Sequence, residues 1–578
     1  MSKGPTEMKI GLEIHQRLNT KKLFCACPYP DDKDENFFTF KRRLHTTMSE
    51  MGEIDSAALH EQAKQKLFTY QFYPSSCCAV EADEEPPHPI NKEALSIAAF
   101  IAKELNCTLL PSIQVMRKIV VDGSNVSGFQ RTALVGLNGS LQTSFGSVGI
   151  ETVAIEEESA GIVSDSQNER VLDLRRLGIP LVEITTTPEI RSPEQAYETA
   201  LKIGLILRNT GKVARGIGTI RQDLNVSIPG GARVEIKGVQ ELPMLPEYVK
   251  EEVRRQQALL KIISTIKSIP SQNPSLVDLS EALKGTKSKL LQKALSSGQS
   301  VIGVKLKGFK GILGTMIGAK RFGKELSEYA SAVGLGIIHS DEEIEKYGIE
   351  RHLVEKALHC SANDAFIITF GEKERAKIAL QLVLKRALLL EVPGETRKAN
   401  PDGTTSYQRP LPGKARMYPE TDIETTPLPK LPEIPSFTER YSAISKVFRG
   451  RADEIFLSPY LPLICDNLDL GEGFLSTLFT RDVIELRREG IEPTEKMLGE
   501  VVQAFRKGHI VKAAIKDVLR YAVSKGVSVE KAIDEAGLKR ISGPELKKLC
   551  SSYSSLPELM RSNRLRVDAE EASRYFGK

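Results

Sequence analysis

Residues 9–18, KIGLEIHQRL, carry the reading that decides the fold. In an extended chain successive side chains alternate between two faces. That sets Ile10, Leu12, Ile14 and Leu18 on one side and Glu13, His15 and Arg17 together on the other. A carboxylate, an imidazole and a guanidinium in one row are unusual for a plain solvent face, though one such strand alone fits either a surface or a site. Residues 220–237 repeat the theme. Ile220, Leu224, Val226 and Ile228 alternate with Arg221, Asp223, Asn225 and Ser227, Pro229-Gly230-Gly231 forms the turn, and Val234 and Ile236 alternate with Arg233, Glu235 and Lys237. Two paired strands with these groups on one face form a polar plate suited to phosphate and metal contacts.

Two carboxylates break the alternation. In GIETVAIEEESAG (149–161) Glu157 shares a face with Val153 and Ile155, while Glu156 and Glu158 lie opposite. In GIPLVEITTTP (178–188) Glu183 sits in a run that is apolar on both faces. A carboxylate on an apolar face must neutralise, pair or ligate a cation, because desolvating a bare charge costs too much. The alternative to a cation site is an ion pair with Arg175 or Arg176. Gly318-Ala-Lys-Arg-Phe-Gly323-Lys324 comes close to a phosphate-binding loop, but Glu325 stands where a metal-ligating hydroxyl is needed. Gly216-Ile-Gly218-Thr-Ile-Arg221 runs into a strand, not a helix. Cys25, Cys27, Cys77 and Cys78 could gather four thiols, yet neither pair has the C-x-x-C spacing of a zinc knuckle, so zinc and free buried thiols both stay open. The other histidines, His60 among them, show no ligand spacing with acidic partners.

Working outward, residues 1–265 are rich in alternating segments and glycine turns, with a helix over 251–267 and a linker at 268–278. Residues 279–390 mix a helical run at 280–298 with a strand at 301–309 and further helices. A Pro- and Gly-rich stretch occupies 393–432, and from about 440 the pattern is helical. The layout is α+β and multidomain, and 578 residues allow roughly three to four domains of ~150 residues. With 40% hydrophobic and 27% charged residues the composition is that of a soluble enzyme. No apolar run reaches ~18 residues, and the N-terminus has no signal core, so a cytoplasmic protein without membrane spans is expected. Eight scattered cysteines fit a reducing compartment. The net charge is +5, but residues 501–578 carry 16 basic and 9 acidic side chains, which points to a polyanion partner or a solvated basic surface.

KIGLEIHQRLNTKKLFCACP (9–28), ADEEPPHPIN (82–91), VDGSNVSGFQRT (121–132), DLRRLGIPLVEITTTPEIRSPEQA (173–196) and RPLPGKARMYPETD (409–422) resemble the GatB/GatE family of glutamyl-tRNA(Gln) amidotransferase subunits, in particular its archaeal GatE branch. The resemblance spans nearly the whole chain. It implies a β-rich cradle catalytic domain (1–270 and 391–437) interrupted by an aspartyl-tRNA synthetase-like α/β insertion (271–390), then a helical domain (438–500) and a YqeY-like tail (501–578). The tail departs from the family. After ISGPELKKLC (541–550) the usual long helix is largely missing, and the chain passes quickly to RLRVDAEEASRYFGK (564–578).

The resemblance further implies ATP-dependent transamidation of tRNA(Gln) mischarged with glutamate. The implied site holds Mg²⁺ on His15, Glu157 and Glu183, with Glu13 and Asp223 flanking a second metal and the ATP phosphates. Arg17, Arg221 and Lys237 are the implied phosphate neutralisers. The sequence has no G-x-S-x-G elbow, Cys/His nucleophile spacing or Ser-rich amidase loop. Ammonia is therefore expected from a partner, the family's asparaginase-like amidase (its D-type subunit), in a hetero-oligomer that can extend to a dimer of heterodimers. Arg506, Lys507, Lys512, Lys516 and Arg520 are the expected tail contacts to tRNA backbone. The alternatives are a tRNA-binding or assembly protein of the same family without its own catalysis and, from the insertion, an aminoacyl-tRNA synthetase.

Overall fold

The alternating segment at 9–18 becomes an inner strand of an 11-stranded sheet. The computed structural model describes residues 7–31, 33–45, 66–166, 168–270, 273–411 and 417–576, so His60 and residues 412–416 of the last family motif lie outside the described residues. The sheet contains β1 (Lys9–Arg17), β2 (Val115–Ile119), β3 (Phe129–Thr143), β4 (Gly146–Glu157), β5 (Pro180–Thr186), β6 (Ile220–Ser227), β7 (Val234–Lys237), β8 (Glu395–Ala399), β9 (Thr405–Pro410) and β10 (Met417–Pro419). Their order is β9-β8-β7-β6-β1-β5-β4-β3-β2-β10, with the short Thr108–Leu109 strand beside β3. Neighbours are antiparallel except β7 and β8, which run parallel. The Pro- and Gly-rich stretch thus supplies β8, β9 and β10.

Register follows from the two-residue period. Ile14 opposes Ile184, and Leu12 opposes Leu224, while one residue along His15 opposes both Glu183 and Arg221. Ile10, Leu12, Ile14, Val153, Ile155, Val182, Ile184, Leu224 and Val226 are all 0–1% exposed. Burying each is worth about 1.5–3 kcal/mol, and a one-residue slip of β1 would turn its share to the polar side. Three helices pack on the sheet: α1 (Lys92–Glu104), α2 (Pro193–Asn209) and α3 (Leu245–Lys267). The side chain of Asn91 caps α1, and Ser192 caps α2 ahead of Pro193. The third helix begins six residues before the expected 251, with Pro246 in its first turn, where the missing N–H costs nothing. Gly136 faces Val153, and a Cβ there would lie 2.9 Å from the Cβ of Ala102, so α1 covers the apolar face at a distance only glycine permits.

Between β7 and β8 the chain forms a separate four-stranded sheet, Leu276–Asp278, Ser300–Leu306, Ala365–Gly371 and Ile338–His339 in spatial order, with helices against it. The helical run expected at 280–298 shortens to Lys289–Ser296. Glu350 accepts a 2.7 Å hydrogen bond from Thr286 and diverts the chain, and Ser288 caps the shortened helix. A buried charge cluster ties this part to the main sheet. Arg255 of α3 meets Glu252 at 2.9 Å, Glu325 at 2.6 Å and Glu395 of β8 at 2.7 Å. Arg386 meets Glu325 at 2.5 Å, and Arg397 of β8 meets Glu395 and Glu328. Glu325, the residue that spoils the phosphate-loop pattern, is therefore the hub of this cluster.

Residues 434–578 form a second compact unit, whose elements among the described residues are all helical. The border expected at 500/501 is corrected: it cuts the helix Glu495–Arg506, which Thr494 caps. A distinct small core appears only with Ile541, Leu546, Cys550, Leu559, Val567 and Ala572. Four of the five expected RNA-binding cations are engaged inside the unit. Arg506 binds Asn467 and Asp469, Lys512 binds the Gly473 carbonyl, Lys516 pairs with Glu485 and Glu489, and Arg520 pairs with Glu489 and Asp517. Acidic partners that precede residue 501 offset the tail's basic excess. Among the described residues no helix is long and apolar enough to cross a membrane.

Candidate active site

The face of the sheet opposite the helices carries a continuous polar plate. Because directly opposed residues share a face, β1 contributes Glu13, His15 and Arg17, β5 contributes Glu183, and β6 contributes Arg221 and Asp223. His15 is the centre. Its Nε2 lies 3.4 Å from Glu183 Oε2, 3.5 Å from Glu13 Oε1 and 3.6 Å from Glu156 Oε1. Burial disfavours the charged ring, but the hydrogen bond to Glu183 and the charges of Glu156, Glu183 and Glu13 outweigh it and hold the pKa at about 9. Burial alone would raise Glu183, yet the bond and charge of His15 bring it down to about 2. Burial and the charge of Glu183 push Glu156 up to about 7 and Glu13 upward as well. Three carboxylates around one imidazole ask for positive charge. One ligand atom from each of Glu13, His15 and Glu183 lies within 4.8 Å of the others, and the buried Glu156 Oε2 has no hydrogen-bond partner. Carboxylate oxygens with one imidazole nitrogen fit a hard divalent cation that leaves further positions to phosphate.

Cations line the same face. Glu158 holds two guanidiniums side by side, accepting from Arg17 Nε at 2.7 Å and from Arg221 Nη2 at 2.9 Å. Lys237 sits between Asp223 at 2.6 Å and Glu235 at 2.9 Å. Burial weakens its charge, but these two carboxylates more than restore it and raise its pKa. Lys118 Nζ stands 3.8 Å from Glu156 Oε2. The plate thus places a carboxylate–imidazole nest among four cations, Arg17, Arg221, Lys237 and Lys118.

Glu157 is not in this nest. It opposes Pro180 and faces away with Val153 and Ile155, so of the expected set His15, Glu157 and Glu183 the structure brings together His15 and Glu183, with Glu13 and Glu156 beside them, and leaves Glu157 apart. Nor does Glu157 pair with Arg175 or Arg176. Its Oε2 accepts from the Arg131 N–H at 2.9 Å, and its Oε1 lies 3.6 Å from Arg131 Nη1. Arg131 also binds Glu420, at 2.7 Å. Burial pushes the Glu157 carboxyl up against the pull of Arg131.

A family model described as the GatB/GatE catalytic domain matches residues 8–430, which include every strand of the plate. The chain belongs to the GatB/GatE family. It is 44% identical over 542 residues to the E-type subunit of glutamyl-tRNA(Gln) amidotransferase from Sulfurisphaera tokodaii, covering 91% of this chain and 82% of that one. It is 42% identical over 570 residues to the E-type subunit from Methanocaldococcus jannaschii, covering 94% and 90%. It is 39% identical over 596 residues to that of Pyrobaculum neutrophilum, covering 98% of each.

In this GatB/GatE chain the alternation found most of the plate and put Glu156 and Glu158 on its face without marking them as site residues, and it missed Lys118. The signal for Glu156 and Glu158 lay in the parity of GIETVAIEEESAG. Val153 and Ile155 claim the core face, so Glu156 and Glu158 fall with the polar one. Lys118 is brought in by a strand whose own pattern does not alternate. Of the four cysteines left open between zinc and free thiols, three come together. Cys25, Cys27 and Cys78 converge with Glu81, all within 4.8 Å. Cys77 turns away to the Leu174 carbonyl, and the buried Lys22 lies 3.5 Å from Glu81. Three thiols and a carboxylate are zinc-type donors.

Proposed function

We propose that this chain is the amide-forming subunit of a tRNA-dependent amidotransferase of the cytoplasm. Its substrate is tRNA(Gln) mischarged with glutamate. The side-chain carboxylate attacks the γ-phosphorus of ATP, the bond to ADP breaks, and γ-glutamyl phosphate forms. Ammonia then adds at the carbonyl, phosphate leaves with the electron pair, and a proton is lost, giving Gln-tRNA(Gln). A carboxylate is a poor acyl donor because oxide is a poor leaving group, and phosphorylation repairs that. The observation that carries the reading is the nest of Glu13, His15, Glu183 and Glu156 beside Arg17, Arg221 and Lys237, in a chain whose relatives are named as glutamyl-tRNA(Gln) amidotransferase subunits.

Glu13, His15 and Glu183, with Glu156 adjoining, would hold Mg²⁺, which when bound supplies positive charge to the triphosphate. The remaining work is positioning and neutralisation by the chain. Arg17 and Arg221 offer two guanidiniums spaced by Glu158, and Asp223 and Glu235 steer Lys237 toward the same anion. Ammonia comes from a partner, an asparaginase-like amidase of the D type, so the working enzyme is a hetero-oligomer. A pulse of [γ-³²P]ATP with Glu-tRNA(Gln) tests the reading. Label should enter a base-labile acyl phosphate on the tRNA and be released by ammonium. Absence of such a species with intact tRNA binding would leave only an RNA-binding role.

The isolated chain should amidate with ammonium salts and show no turnover with asparagine or glutamine. Amide hydrolysis by the chain alone, measured as ammonia release, would overturn the division of labour. Glu156→Gln should lower kcat at least about tenfold at saturating ATP. Glu157→Gln should leave kcat within about twofold and cost stability of about 1–3 kcal/mol through the loss of charge opposite Arg131. Paired steady-state kinetics and urea melts separate the two. A larger kcat loss at Glu157 than at Glu156 would reverse the assignment.

A further inference from the structure

The strand-entering motif Gly216-Ile217-Gly218 has no role in the chemistry above, yet its setting is specific. Residues 208–221, RNTGKVARGIGTIR, hold four basic and no acidic side chains. Lys212 pairs with Glu93 at 3.0 Å and Arg221 with Glu158. Arg208, half-buried at the end of α2, reaches the Ala214 carbonyl at 3.4 Å. Desolvation and the charge of Arg208 pull the Arg215 pKa down to about 10, as expected of two like charges held close. The neck of the loop is fixed. The fully buried Gln16 directs its Nε2 at the carbonyls of Arg17, Ala214 and Thr219, at 2.9, 3.2 and 3.1 Å, and Thr219 Oγ1 bonds the Gly216 carbonyl at 2.8 Å. Gly216 and Gly218 have φ of +115° and +76°, which only glycine adopts cheaply, and between them Ile217 is fully exposed. The neck also bonds β1, since Arg17 N donates to the Thr219 carbonyl and Ala214 N to the Arg17 carbonyl, each at 2.9 Å. The loop therefore stands at the Arg17 end of the plate.

We infer that the loop Arg215–Gly218, with Arg208 beside it, docks the single-stranded 3′ end of the RNA substrate, an end base lying on Ile217 and neighbouring phosphates on Arg208 and Arg215. This rests on the reading above that the substrate is an aminoacyl-tRNA. The reacting carboxylate is carried on the last nucleotide of that strand, so the strand's own phosphates must cross the rim of the plate to deliver it. ATP phosphates already have Arg17, Arg221 and Lys237 on the plate itself, which assigns the rim cations to RNA. An apolar tip between arginines suits a base and its flanking phosphates, and stacking of this kind tolerates any base. The pinned neck means little ordering is lost on binding.

The test titrates the full chain with a tRNA(Gln) transcript and with the same transcript lacking its last three nucleotides. Arg208→Ala/Arg215→Ala should raise Kd for the intact transcript about tenfold and flatten the dependence of log K on log salt by about 1.4, two single-strand contacts. Ile217→Ser should raise Kd about fivefold. All variants should match the parent on the shortened transcript. Ile217 is fully exposed and both glycines stay, so unchanged melting is expected and is measured alongside. Unchanged affinity for the intact transcript overturns the inference, as does an equal loss on both transcripts. A raised KM for ATP with intact RNA affinity overturns it too, and gives the loop to the nucleotide of ATP. If the Kd pattern holds while the parent forms no γ-glutamyl phosphate, the docking stands and the catalytic reading falls.

Discussion

Glu183→Gln and His15→Ala should each lower ATP-dependent amidation of Glu-tRNA(Gln) at least about 100-fold, with tRNA affinity within about twofold of the parent. The expectation comes from the position of His15. It stands within 3.6 Å of three carboxylates, so removing it leaves like charges facing one another with nothing between them. Removing the Glu183 charge takes away the closest partner of the ring, at 3.4 Å, and one of three candidate cation ligands. A surface charge would cost far less, about 1 kcal/mol or under. The measurement is kcat at saturating ATP and Mg²⁺ together with ³²P transfer to the acyl group. Near-normal turnover of Glu183→Gln under those conditions would remove this nest from the reaction.

Glu325→Ala should destabilise the unit spanning residues 1–433 by about 3–5 kcal/mol, the usual cost of deleting one member of a buried ion cluster. Glu325 is 1% exposed and bridges Arg255 and Arg386, with Arg397 at 3.7 Å, so its loss strands buried positive charge. The pH dependence has a definite sign. Burial opposes ionisation of Glu325, but Arg255, Arg386 and Arg397 overcome it and hold its carboxyl well below the ordinary range. Its contribution is therefore complete above that ordinary range, near 4.5, and drains away only as pH falls toward the depressed folded value. The gap in urea midpoint between the parent and Glu325→Ala should be constant from pH 8 to 5 and narrow below that. A midpoint for Glu325→Ala within error of the parent at pH 7 would show that the cluster relaxes without it.

Most of the plate was legible because β1 and the β6–β7 hairpin obey a strict two-residue period, so Glu13, His15, Arg17, Arg221, Asp223 and Lys237 sort to one face without any tertiary information. The pairing of His15 with Glu183 was not legible. It depends on which strands become neighbours, and β5 is apolar on both faces of its own pattern. Glu157 misled because a carboxylate on a core face satisfies two chemistries, metal ligation and ion pairing, and only the location of Arg131 on the adjacent strand decides between them. In the insertion, the helix expected from composition at 280–287 gives way to turns, and Thr286 Oγ1 and Lys287 N both donate to Glu350, a partner 64 residues beyond Thr286 that composition could not show. In the tail, the ion pairs were not legible because the compensating Asp469, Glu485 and Glu489 precede the segment whose charge was counted.

The parallel pairing of β7 against β8 bears on how the chain is born. As residues leave the ribosome in order, β7 is complete while its neighbour is still unmade, with all of residues 238–394 to come. Until then its outer N–H and C=O groups form an open template to which a strand of another nascent chain can add. Closing so long a gap at random is slow. An insertion that folds first would shorten the search, because with Glu325, Arg386 and α3 in place it would present Arg255 to Glu395 and so deliver β8 to its slot. A chain weakened at that cluster should then fail first as an aggregating nascent product, before any loss shows in the finished enzyme.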